Sequence, residues 1–322
     1  TTTRPSEHSI SKMMPFMTSM WGVPSAPHLM GQELFPALKD SWKSIYKLLD
    51  AKDTDDIVFT SSGAEAVNHA IMSAYFDVTL PTGRNHFITS HIDEAPAIMS
   101  IGRLEKLGCV GKMVNPNSSG LITPEIIAEA ITPRTAMVSL SWANGLTGVV
   151  QPVAEIAKLC RERDIILHLD ATHILGKLYF ELEDTGASFV SFNGDNIHAP
   201  KGTGALWIKG GVKCSSFITG GIEQANLRAG SYSIGGLVAL AAAAEEALDA
   251  RDLVCMEVAR LRNRLEMGIV AGFPEAIPFF CNQHRLPHIT CIAFPGIANE
   301  ALLFSLNRRG VYASIGGGSF QQ

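Results

Sequence analysis

The sequence predicts an α/β protein with a mostly parallel central sheet, helices on both faces, and a smaller α+β region at the C-terminal end. Three observations carry that expectation. Short apolar runs recur between Asp56 and Ile208, each long enough for one buried strand and too short for a helix. Stretches with apolar residues at helical spacing lie between them, as parallel strands joined by crossover helices require. The run Ile165 to Leu169 ends on a carboxylate, Asp170, at the kind of strand end where such sheets place ligands.

Composition sets the bounds. The 322 residues are 46% hydrophobic and 18% charged, ample for a sizeable core. They are expected to divide into a large cofactor-domain-like region with an N-terminal arm (1–250) and a small C-terminal domain (251–322) that reads as incomplete. A net charge of −5 gives no reason to expect nucleic acid or an anionic membrane as a partner. No apolar run approaches the ~20 residues of a membrane span. The opening TTTRPSEHS lacks the layout of a signal peptide. Six scattered cysteines without a C-x-x-C pair read as reduced thiols of a cytoplasmic protein.

The elements follow in order. WGVPSAPHLMG (Trp21 to Gly31) is a Pro-rich entry to a helix over Gln32 to Leu49, where Leu34, Leu38, Trp42, Ile45 and Leu48 share one face. Asp56 to Thr60 is a strand, and SSGAEAVNHAI opens the helix behind it. The turn at Gly63 and Ala64 is therefore a potential anion site, since backbone N–H groups and the helix dipole favour phosphate there. Phe87 to Ser90 and Ala136 to Leu140 are strands, the second ending in SWANGLTGVVQP, and Val153 to Arg163 is an amphipathic helix. After Asp170 come two more strands, Phe189 to Phe192 and Gly204 to Ile208, separated by NGDN and APKGT turns. A Gly-rich loop, GGIEQANLRAGSYS, precedes an alanine-rich helix from Gly235 to Ala250 and a basic one from Val258 to Met267. His288 to Phe294 reads as a strand and Pro295 to Gly310 as a final helix.

HLDAT, then SFNGDN, then APKGTGALWI, in that order, resembles the pyridoxal-phosphate core of the class V aminotransferases, most closely the cysteine desulfurases. The resemblance implies a fold type I architecture and covers nearly the whole chain. It places Asp170 on the cofactor's pyridine nitrogen, with Asn144 and His173 beside the phenolic oxygen; His173 replaces a glutamine and can equally be a turn histidine bonded to local backbone. Gly63 and Ala64 fall on the phosphate turn, where Ala64 replaces a threonine. Ser231 falls on a threonine that reaches the phosphate of the partner subunit.

The reacting positions depart from the pattern. Ser191 to Asn196 matches a segment that reads Ser-x-Ser-x-His-Lys, so Asn193 lies within the cofactor loop, Asp195 replaces the histidine, and Asn196 replaces the Schiff-base lysine. Glu94 stands where the family has a ring-stacking, proton-shuttling histidine; His91 lies three residues too early. Gly145 and Leu146 replace an asparagine and a glutamate. Ser319 stands at the sulfur-accepting cysteine, and the segment that would supply an arginine for the substrate carboxylate is not in this sequence.

Two readings stay open. One is a pyridoxal-phosphate-dependent cysteine desulfurase, a chemistry that needs a lysine and a low-pKa thiolate. The other is an inactive homodimeric scaffold, or a binding partner of a sulfur carrier or iron–sulfur assembly protein. Charge favours the second: like charges ~4 Å apart repel by roughly 4 kcal/mol at an effective dielectric of ~20, and Glu94 and Asp195 both add negative charge near an anionic cofactor. Pyridoxal 5'-phosphate is the cofactor the resemblance implies, with weakened binding expected. No metal site is expected.

Overall fold

A computed structural model describes residues 2–315. The chain opens with helices α1 (Glu7–Thr18), α2 (Leu29–Gln32) and α3 (Phe35–Leu49). Strand β1 (Asp56–Thr60) leads to α4 (Gly63–Ala74) and a one-turn α5 (Leu80–Thr82), joined by a π-helical turn. Then come β2 (His86–Ser90), α6 (Ala95–Glu105), β3 (Val110–Val114), α7 (Pro124–Ala130), β4 (Thr135–Ser141), α8 (Val153–Glu162) and β5 (Ile166–Asp170). Strands β6 (Phe189–Asn193) and β7 (Gly204–Ile208) precede α9 (Ile234–Leu253) and α10 (Ala259–Gly272), which a π turn over Val254–Val258 joins. A two-residue pair, β8 (Ile277–Pro278) and β9 (Ile292–Ala293), and α11 (Asn299–Asn307) complete it.

The seven long strands form one sheet in the order β1-β7-β6-β5-β4-β2-β3. Neighbours from β6 to β3 are parallel, and β7 runs antiparallel to both β1 and β6. The expected α/β class and mostly parallel sheet are borne out. The central strands are apolar on both faces because helices cover both. One face packs Val58, Phe87, Met137 and Phe189 against Ala66, Ala70 and Ile71 of α4. The other packs Leu140, Leu169 and Val190 among residues of α3, α8 and α9. Two departures from the sequence reading have simple causes. β3 is an edge strand with an exposed, mixed pattern, so its periodicity is weak. The apolar run from His288 to Phe294 pairs only at Ile292 and Ala293, where β8 is short.

The middle of the sheet is polar at one point. His168 of β5 is fully buried and bonds Ser139 Oγ at 2.8 Å through Nδ1 and Ser191 Oγ at 2.9 Å through Nε2. Burial pushes its imidazole down to about 3, so it is neutral near pH 7. A neutral ring can donate one bond and accept the other, which satisfies both nitrogens inside the sheet.

Candidate active site

The carboxyl ends of β2, β4, β5 and β6 converge on one recess. Asp93, just past β2, organises it. Its buried carboxylate accepts from Ser90 N (2.7 Å), Thr89 Oγ1 (2.7 Å) and Ser141 N (2.5 Å), joining the ends of β2 and β4. Burial raises its carboxyl, opposed by those three hydrogen bonds. Asn144 adds a second tie: its Nδ2 donates to Ile92 O at 2.9 Å, while its Oδ1 accepts from Leu146 N, Thr147 N and Thr147 Oγ1. Asn144 therefore caps its own turn and keeps one amide hydrogen for a ligand.

Asp170 ends β5 half-buried, its Oδ1 accepting from Thr172 N at 2.9 Å. Burial raises its carboxyl; the hydrogen bonds from Thr172 and the charge of His173 oppose that, and the charge of Glu94 adds to it. His173 and Glu94 meet directly, with Nε2 and Oε1 3.3 Å apart. The histidine side chain is 9% exposed and the glutamate 32%. The bond from His173 holds the Glu94 carboxyl below its ordinary value, against desolvation. Gly145 makes room for the pair: a Cβ there would collide with His173 Nε2 and lie 2.9 Å from Glu94 Oε1. His91, by contrast, is exposed.

The opposite end of the recess is built by α4 and the turn after β6. Gly63 begins α4, and its N–H lies 3.4 Å from Asn193 Oδ1. Gly204 permits that approach, since a Cβ there would sit 2.5 Å from the carbonyl carbon of Ser62. Ala64 is exposed in the first turn. Asp195 and Asn196 are both buried in a single turn of 3₁₀ helix. Asp195 Oδ2 lies 3.5 Å from Lys201 Nζ, and its Oδ1 makes no hydrogen bond among the described residues. Lys201 is 72% exposed, at the surface. Ser231 is exposed and makes no hydrogen bond among the described residues. Its loop is fastened by Arg228 to Glu65 (2.9 Å) and by Gln224, which bonds both the N–H and the C=O of Phe59. Ser319 lies outside the described residues.

No cluster of three or more His, Cys, Asp or Glu suited to a metal occurs among the described residues. Burial raises the thiol of all six cysteines, Cys160 and Cys214 to about 12, so none has the depressed pKa of a nucleophilic thiolate. Sequence reasoning missed three residues that matter: Asp93, Gln224 and Lys177. Lys177 is buried, and desolvation pushes its amine below the ordinary value. Its only sequence signal was a lysine four residues after His173.

Residues 1–320 match the family model for aminotransferase class-V. The chain belongs to that family. It is 34% identical over 317 residues to a cysteine desulfurase of Gluconacetobacter diazotrophicus, covering 98% of this chain and 78% of that protein. It is 35% identical over 316 residues to the cysteine desulfurase NifS of Azotobacter vinelandii, with the same coverage. Among solved structures, a NifS-like protein superposes with a TM-score of 0.89 at 27% identity, over 97% of this chain and 85% of that one. SspA in complex with cysteine superposes at 0.86 and 26% identity, over 99% and 88%. The family implies pyridoxal phosphate. The ring end of the recess suits it, through Asp170 and the free amide hydrogen of Asn144. The covalent end does not: position 196 is asparagine, and the nearest lysine in sequence is held at the surface beside Asp195. The residues do not fit the lysine-linked form of the cofactor.

Proposed function

We infer that this class V aminotransferase-family protein keeps the ring subsite and has lost desulfuration. It acts as a homodimeric scaffold or binding partner in sulfur or iron–sulfur metabolism, in the cytoplasm. The observation that carries the reading is Asn196, buried in the turn after β6, together with Lys201 exposed and engaged by Asp195. Without an amine at that turn the aldehyde has no covalent anchor. With every described thiol raised by burial and serine at 319, there is no sulfur acceptor of the usual kind.

Dimerisation is supported by exposed apolar residues: Ile222 (81% exposed) in the loop of Ser231, and Trp21 (68%) and Leu29 (72%) in the N-terminal segment. An open groove of about 740 Å³ lies close by, lined by Trp42, Tyr46 and Tyr232. Light scattering at micromolar concentration should report a dimer. Absorbance after incubation with pyridoxal 5'-phosphate, borohydride trapping with peptide mapping, and sulfide release from cysteine test the rest. The expected result is no lysine adduct and no sulfide. An adduct on Lys201 or Lys177, or sulfide above background, overturns the reading.

A further inference from the structure

The turn after β6 is held from two sides by different parts of the chain. On its inner side its own backbone closes it: Ile197 N and Ala199 N donate to Gly194 O, and Gly194 N donates to Thr203 O. On its outer side His198 stands exposed at φ +68°, in the left-handed region that is uncommon for a residue with a side chain. The hydrogen bonds of His198 run to one distant segment, residues 3–9. Its N–H donates to Thr3 Oγ1 at 2.8 Å, and its Nδ1 donates to Arg4 O at 2.9 Å. Its C=O accepts from Ser6 N at 2.9 Å and from Ser9 Oγ at 3.2 Å. Thr3 also grips the turn directly, since its N–H and its hydroxyl both donate to Asp195 O, each at 2.8 Å. A hydroxyl donates one bond while accepting another, so Thr3 Oγ1 links Asp195 to His198 across the turn. The segment is itself anchored. Ser6 caps α1 by accepting from Ser9 N at 3.0 Å, its hydroxyl donates to Glu246 of α9, and Ser9 is fully buried.

We propose that residues 3–9 form a strap that sets the turn carrying Asp195 and Asn196, with Thr3 and His198 as its positioning residues. A side chain persists in the left-handed region where its surroundings hold it there, and here the holding groups belong to the strap. With the strap lifted, His198 relaxes toward extended backbone, and its N–H and C=O turn to water. Asp195 and Asn196 precede it in the same turn, so the change reaches the recess along the chain and leaves the sheet in place. Arg4 O only accepts, which puts the proton of the neutral His198 ring on Nδ1. The imidazolium donates from Nδ1 as well, so the strap holds whether or not the ring is charged. The strap does not depend on which ligand the recess takes.

Amide hydrogen exchange and nitrogen NMR on the full chain test this. Thr3→Val keeps the shape of threonine and loses its hydroxyl. In that variant the amides of Ile197, His198 and Ala199 should exchange about tenfold faster or more, with those of Val190 and Phe192 in β6 unchanged. Thr3→Ser restores the hydroxyl and should return the three turn amides to within about threefold of the unaltered protein. His198→Gly removes the ring and keeps the N–H and C=O in a conformation glycine adopts freely, so the turn should stay protected. The neutral His198 ring should carry its proton on Nδ1 in the unaltered protein and be a mixture of tautomers in Thr3→Val. Unchanged turn exchange in Thr3→Val overturns the strap, and so does equal acceleration in β6, which would mark a general opening. Exchange in Thr3→Ser as fast as in Thr3→Val removes Thr3 from the strap and overturns its role. A neutral His198 ring protonated on Nε2 in the unaltered protein overturns the part given to His198.

Discussion

At the ring end of the recess, side chains are tied to backbone on neighbouring strands; at the turn after β6 the Asp195 carboxylate meets only a lysine at the surface. Asp93 accepts three hydrogen bonds that join β2 to β4, and Asn144 makes four that shape the next turn. The Asp195 carboxylate has one hydrogen-bond partner among the described residues, at 3.5 Å, a lysine that is 72% exposed. The difference explains how a site can change its chemistry without changing its fold. Residues that hold the sheet's ends in register carry the structure, and replacing them leaves buried donors unpaired. Replacing the Asp195 carboxylate strands only a lysine that solvent already reaches.

The largest effect should come from restoring the loose end. Replacing Asn196 by lysine together with Asp195 by histidine supplies the covalent anchor and removes a negative charge, while Asp170 and Asn144 stay in place. The expected outcome is a change from no adduct to a borohydride-trapped adduct at position 196, checked by absorbance and peptide mapping. Sulfide release should remain at background, because Ser319 is not a thiol. No cofactor uptake by the double variant would show that the ring end has changed as well.

The tight end should respond in stability rather than in ligand. Asp93→Ala strands the amides of Ser90 and Ser141 in a buried setting. Each unpaired buried donor costs about 1–3 kcal/mol, so a loss of about 3 kcal/mol is expected in urea unfolding. A loss below 1 kcal/mol would mean that the main-chain register holds the recess without Asp93.

Much of this fold was legible because its core strands obey simple periodicity. Ile57-Val58-Phe59 and Leu167 to Leu169 are buried in strands as their apolar runs indicate. The residues that escaped are polar ones whose partners are distant in sequence: Asp93 bonds Ser141, and Gln224 completes the hydrogen bonding of Phe59. Nothing local in the chain marks such pairings. The Glu94–His173 pair escaped for the same reason, since its two members are 79 positions apart and Gly145 joins them only in three dimensions.

Within the sheet itself, His168 sets a pH dependence that the loose end does not share. Burial holds its folded imidazole at about 3, below the ordinary 6.5, so the unfolded chain binds the proton more readily. The stability it contributes is full above pH 6.5 and is lost as pH falls toward 3. At pH 5 the loss should be about 2 kcal/mol relative to pH 7. His168→Gln should flatten that part of the unfolding profile. An equal slope in the variant would assign the dependence to other groups.

The smallest effect belongs to Lys201, and it is the most informative about the turn. Its side chain is 72% exposed, and it meets a carboxylate that is 10% exposed at a distance long for an ion pair. Exposed pairs contribute about 0–1 kcal/mol, so Lys201→Ala should move stability by no more than about 0.5 kcal/mol. Asp195→Asn should be neutral or slightly stabilising, because Oδ1 is buried without a hydrogen bond and a neutral amide costs less to bury there. Lys201→Ala should also leave aldehyde trapping unchanged, since its amine sits at the surface. Urea unfolding and borohydride trapping of both single variants check this. An adduct trapped on the unaltered protein and lost in Lys201→Ala would make that lysine the substitute anchor, and the two ends of the recess would then be equally engaged.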